Sequence, residues 1–115
     1  MTIIGQNYPV QCAAPYQGTP LGYQQLTSFS AATKLTVPAG ATYALINVEG
    51  IAGTDSVRWR DDGTAPTTSV GMLVDGTNAA TTSPQPPPLL YAADLSAIQF
   101  IAAAGTPILN VSYYR

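Results

Sequence analysis

With 115 residues the chain has the length of one domain, and folding a chain of this size removes roughly 65% of its unfolded surface from water, enough for a single modest core. Only 9% of the residues are charged, against about 25% in typical soluble domains, and a net charge of −2 leaves no basic face for binding phosphates. There is no histidine and one cysteine, which removes the usual nucleophile–base pairs and any disulfide within the chain, and no apolar run approaches the ~20 residues of a membrane helix.

The first residues carry neither a positive region nor a signal-peptide core, so synthesis and retention in the cytoplasm is the expectation. Cys12 reads as an unreactive thiol or, less simply, as half of an interchain disulfide. Residues 1–20 show little alternation and contain Pro9, Pro15 and Pro20, which interrupt strand pairing. Yet they carry Ile3, Ile4, Tyr8, Val10 and Tyr16 with no charge to solubilise them. This segment is expected to be an extended arm lying against a neighbouring subunit.

From residue 21 onward β-branched and aromatic residues cluster in short runs bounded by Gly, Pro, Asp and Asn, without amphipathic helix patterns. Residues 23–28 form a weak strand. Residues 33–37 form a second, closed by the turn Pro38-Ala39-Gly40. In 42–49, Ala44, Ile46 and Val48 share one face and Tyr43, Leu45, Asn47 and Glu49 the other. In 56–60, Val57 and Trp59 point inward and Arg58 and Arg60 outward. Strands follow at 88–91, at 97–102 with Ile98 and Phe100 on one face, and at 107–114 with Leu109, Val111 and Tyr113 alternating with polar residues. About seven or eight strands of this kind predict an all-β, antiparallel β-sandwich, jelly-roll-like or Ig-like, over residues 21–115. Residues 76–88 are Pro/Thr-rich and read as a flexible segment or a second docking arm.

Chemistry-bearing groups concentrate at 57–72. Arg58 and Arg60 are half of the four cationic side chains and stand roughly 7 Å apart on one side of their strand. They can pair with Asp61, Asp62 or Glu49, or with carboxylates of a partner, where charge sets specificity. Asp61 and Asp62 are the only adjacent carboxylates. A catalytic pair would need a pocket, and a Ca²⁺ site would need further oxygen ligands such as Asp55 and Asp75. The plainer reading is an Asp-Asp-Gly turn whose carboxylates bond nearby N–H groups. Serine hydroxyls have no histidine to activate them, and the single lysine, Lys34, sits in a strand. Tyr43, Tyr91, Tyr113 and Tyr114 suit strand packing, or a sugar-stacking platform. No catalytic, cofactor or metal residue is assigned. Arg58, Arg60, Asp61 and Asp62, with the apolar residues of the arm, are the candidate protein-interface residues.

The run Val57-Arg-Trp-Arg-Asp-Asp-Gly-Thr-Ala-Pro-Thr-Thr-Ser-Val-Gly-Met72, then Asp94-Leu-Ser-Ala-Ile-Gln-Phe-Ile101, then the ending Leu109-Asn-Val-Ser-Tyr-Tyr114, resembles small virion proteins of tailed bacteriophages and prophages. The likeness covers about residues 33–115. It implies a structural, non-enzymatic part of the particle with a β-sandwich fold; no cofactor is expected, and the scarcity of cations and of long apolar runs argues against nucleic acid and membrane as partners. The expectation is a capsid decoration (cement) protein on the virion surface, made in the host cytoplasm. It would bind the major capsid protein or another virion protein as a homo-oligomer, with a trimer favoured. A head–tail or tail component, and a carbohydrate-binding module on the particle, are the alternatives.

Overall fold

The computed structural model describes residues 18–78 and 87–115. They form eight strands and no helix: β1 (Pro20–Leu26), β2 (Thr33–Lys34), β3 (Tyr43–Glu49), β4 (Ser56–Arg60), β5 (Met72–Asp75), β6 (Leu89–Tyr91), β7 (Gln99–Ala104) and β8 (Ile108–Tyr114). Two antiparallel four-stranded sheets result, in the orders β1-β8-β3-β6 and β2-β7-β4-β5. The first and last strands pair, as do the second with the seventh, the third with the sixth and the fourth with the fifth.

Period-two patterning places the core. Along β3 Ala44, Ile46 and Val48 are buried, and along β8 Leu109, Val111 and Tyr113. Both strands present the faces that their alternation predicts. These residues meet Val57 of β4, Phe100 of β7 and Tyr91 of β6 in one apolar cluster, so the two sheets share a core in the manner of a β-sandwich. Phe29, Leu35, Leu95 and Ile98 join it from the connections.

The strand expected at 97–102 runs two residues later, as Gln99–Ala104, which leaves Ile98 before it, and the one expected at 23–28 ends at Leu26. Three further differences have a local reason. Pro20 opens β1 instead of ending an arm: at the first position of an edge strand its missing N–H costs no ladder bond. Thr19, just before it, exchanges backbone hydrogen bonds with Arg115 at 2.9 and 3.1 Å. The strand expected at 33–37 stops at Lys34, because Leu35 turns into the core and the Thr36 N–H donates to Gln24 Oε1 at 2.9 Å rather than to a strand. β5 was hidden in the sequence, since four residues are too few to show a period; Met72 and Leu73 stay exposed along it. Most of the expected arm, with Ile3, Ile4, Tyr8, Val10 and Tyr16, and residues 79–86 of the Pro/Thr-rich segment, lie outside the described residues.

The loop between β5 and β6 begins with a close backbone approach. A Cβ on Gly76 would stand 2.4 Å from the Gly50 carbonyl oxygen, so only glycine fits. The neighbouring Thr77 N–H donates to the Val48 carbonyl at 2.8 Å and Asn78 N–H to that of Gly50 at 2.8 Å. Residues 76–78 thus run as a hydrogen-bonded flap along the exit of β3.

Candidate protein-interface site

β4 delivers Arg58 and Arg60 to the same side, and the loop 61–71 folds back over them. Arg58 is half-buried and donates from Nη1 to the Gly71 carbonyl at 2.7 Å and from Nε to the Thr68 carbonyl at 3.3 Å. The planar guanidinium suits this task, since its fixed fork of N–H donors can hold two backbone positions at once. Its guanidinium thereby braces the loop. Arg60 grips Asp62 in a bidentate pair, Nε to Oδ1 at 3.0 Å and Nη2 to Oδ2 at 2.5 Å. That bond holds the Asp62 carboxyl below its usual range and raises the Arg60 guanidinium above its own.

Asp61 and Asp62, adjacent in sequence, part in space. Asp61 Oδ2 accepts from the buried Tyr91 hydroxyl at 2.8 Å, tying the end of β4 to β6 in the other sheet. Tyr91 also meets Trp59 edge to face, with ring centroids 5.9 Å apart. Burial, then the Asp61 bond and charge, pushes the Tyr91 phenol well above its ordinary range. Asp62 Oδ1 caps the turn at Thr64 N–H, 3.4 Å away, with Gly63 at φ 86°. Further along, Thr67 Oγ1 accepts from the N–H groups of Ser69 and Val70 at 3.2 and 3.0 Å, and Pro66 is buried beneath the loop. The loop is therefore fixed at both ends and in the middle. It displays Thr64, Ala65, Thr67, Thr68, Ser69 and Val70, all exposed and all uncharged.

No group of three or more metal-ligating side chains gathers among the described residues. Asp55, considered as an oxygen ligand alongside Asp61 and Asp62, is occupied elsewhere. Its carboxylate accepts from Ile51 N–H at 2.8 Å and Thr106 N–H at 2.9 Å, bonds that lower its pKa and join two turns. A depression between the 27–30 and 105–107 turns is lined by residues such as Ser28, Phe29, Ala102 and Thr106, with no titratable group.

The four tyrosines weighed as a sugar platform separate. Tyr91 and Tyr113 belong to the core, and burial pushes the Tyr113 phenol up to about 12. Tyr43 and Tyr114, opposite one another on β3 and β8, stack at 5.2 Å on the outer face of the first sheet. Sequence reasoning missed the group beside them. Asn110 Nδ2 donates to Asn47 Oδ1 at 3.2 Å and Glu49 Oε1 at 3.0 Å, while its Oδ1 accepts from Gln25 Nε2 at 2.9 Å and from the Tyr23 hydroxyl. The signal was the polar half of each alternation, legible only once the register was known. No family model, curated protein or solved structure matches the chain.

Proposed function

We propose that the protein is a structural component of a tailed-phage virion, in the first place a capsid decoration protein that binds the outer shell through repeated protein–protein contacts as a homo-oligomer. The observation that carries this reading is the loop 61–71. The residues of the phage-like run hold their own backbone, spending Arg58 and Arg60 on carbonyls and Asp62, and leave a rigid, uncharged Thr/Ser/Val surface. A preorganised surface loses little entropy on docking, which suits copied contacts between subunits better than turnover in a pocket. We read the fold more finely as a jelly roll. In that architecture strands pair first with last and inward in turn, here β1-β8, β2-β7, β3-β6 and β4-β5, and viral shells and lectins use it widely. The decisive experiment is a reconstruction of the particle with this protein tagged. Density on the outer shell at regular, symmetry-related positions is expected. Density at the neck or tail transfers the reading to a head–tail or tail component, and absence from the particle overturns it.

One observation favours a carbohydrate-binding role on the particle. Tyr23 is 63% exposed beside the amide and carboxylate row of Gln25, Asn110, Asn47 and Glu49, the mix of ring and planar polar groups that sugars engage. Glycan-array binding abolished by Tyr23→Ala supports it; an array without signal removes it.

A further inference from the structure

Among the described residues the two sheets end in four edge strands, β1 and β6 in one and β2 and β5 in the other. A sheet edge presents unpaired N–H and C=O groups, and proteins blunt it with proline, lysine, broken register or brevity. Three of these edges are guarded in that way. β1 begins at Pro20 and breaks register between Pro20 and Gly22. β2 has two residues, one of them Lys34, and β6 has three, entered through Pro87 and Pro88. β5 carries none of these devices, and its one charge, Asp75, sits at the last position. Val70, Met72 and Leu73, beside it or on it, are 51%, 60% and 53% exposed. Met72 stands opposite Trp59, on the side of the sheet that packs against the core, so the sandwich is open there.

We propose that the β5 edge pairs with the β5 edge of a second copy of this chain, antiparallel across a two-fold axis, so that the sheet runs on through a dimer. Backbone geometry selects the register. Gly76 N–H donates to the Asp55 carbonyl at 2.9 Å, one step beyond the Asp75–Ser56 pair, and hydrogen-bonded and open pairs alternate along an antiparallel ladder. The backbone groups of Met72 and Val74 therefore bond β4, and those of Leu73 and Asp75 turn outward. A pairing centred on Leu73 lets Leu73 exchange both bonds with its counterpart. It also sets Met72 against Val74 of the second copy, and Asp75 against Gly71, which has no side chain. The two Asp75 residues then lie roughly 14 Å apart along the strands, beyond a screening length of about 8–10 Å. A pairing centred on Asp75 would oppose the two carboxylates directly, so charge and apolar matching select the same register. A two-fold contact needs a surface complementary to itself, and this edge meets that condition. Trp59 meets Tyr91 across the sandwich, which brings the β6 edge to the same side, where Leu89 and Leu90, 37% and 54% exposed, flank the contact. The edge strand is only four residues long, so the buried area falls at the small end, under about 1,200 Å² in total, and the dimer is weak. The contact belongs to the isolated protein, so its failure and that of the virion reading are seen in different experiments.

Sedimentation of the full chain should show a mass rising from that of one chain toward that of two between roughly 10 μM and 1 mM. Leu73→Lys, at an exposed position, opposes two ammonium groups at the centre of the pairing. It should leave the β-sheet circular dichroism intact and the protein monomeric throughout that range. In a Cys12→Ser background, which removes the single native thiol, Leu73→Cys should form an interchain disulfide under mild oxidation. It should do so about ten-fold faster than Asp75→Cys, because the Cα atoms of a hydrogen-bonded pair stand ~5.5 Å apart, within disulfide reach. A chain that stays monomeric at the top of the range, or one that reaches the mass of a trimer, overturns the proposal. So does association unchanged in Leu73→Lys, which places the contact on another surface, or equal crosslinking from positions 73 and 75.

Discussion

Two single residues test how the loops are held. Arg58 bonds two carbonyls of the loop that it supports, and hydrogen bonds from a charged donor are worth about 1.5–3 kcal/mol each in net terms. Arg58→Ala should lower unfolding stability by about 1–3 kcal/mol in a denaturant titration and raise amide exchange at 67–71, with the β-sheet circular dichroism retained. Arg58→Lys should recover only part of this, because an ammonium has no fork to reach Thr68 and Gly71 together. Gly76→Ala is the harsher change. Its methyl would meet backbone, not a movable side-chain tip, so the flap 76–78 must leave Val48 and Gly50. A loss of about 2–4 kcal/mol, at the severe end for point changes, is expected from the same titration. Neither role was legible in the sequence. That Arg58 and Arg60 shared a face followed from period two, but which acceptor each would find depended on where the loop returned.

At the scale of elements, every strand but β5 was expected in about its place, while the faces and bounds were sharpest where alternation was clear. β3 and β8 bury one face completely, and a one-residue slip would expose Ala44, Ile46 and Val48 together, so their register is strongly specified. β1, β2 and β5 sit at sheet edges, where burial imposes less pattern. The turns between elements carry the pH dependence. Asp55 is held low by the Ile51 and Thr106 N–H groups, Asp62 by Arg60, and Asp94 by the Ser96 hydroxyl and N–H. Each folded-state value lies below the unfolded one near 3.9, so the stability that these groups add is present above about pH 4 and is lost as pH falls through their folded values. Tyr91 and Tyr113 act in the opposite sense, since raised phenols withdraw stability as pH climbs from about 10 through their folded values. Thermal melts across pH should therefore show a plateau between an acid and an alkaline limb. Asp55→Asn should flatten part of the acid limb.

For the whole molecule, the pairing of first strand with last means that sequence neighbours are seldom structural neighbours. The segment 99–114 supplies β7 and β8, which occupy interior positions in the two different sheets, each between two other strands. β8 alone bridges β1 and β3, and β7 bridges β2 and β4. Until that segment has been made, strands β1 to β4 hold no partner among one another. The nascent chain can pair β4 with β5 and β3 with β6 as it is made, but neither sheet can be completed before this segment appears. It must wait, poor in charge and rich in β-branched residues, for its final interior strands, and then close many long loops nearly at once, the regime of slow folding. Time on the ribosome, rather than the finished fold, is where this chain is most exposed to aggregation.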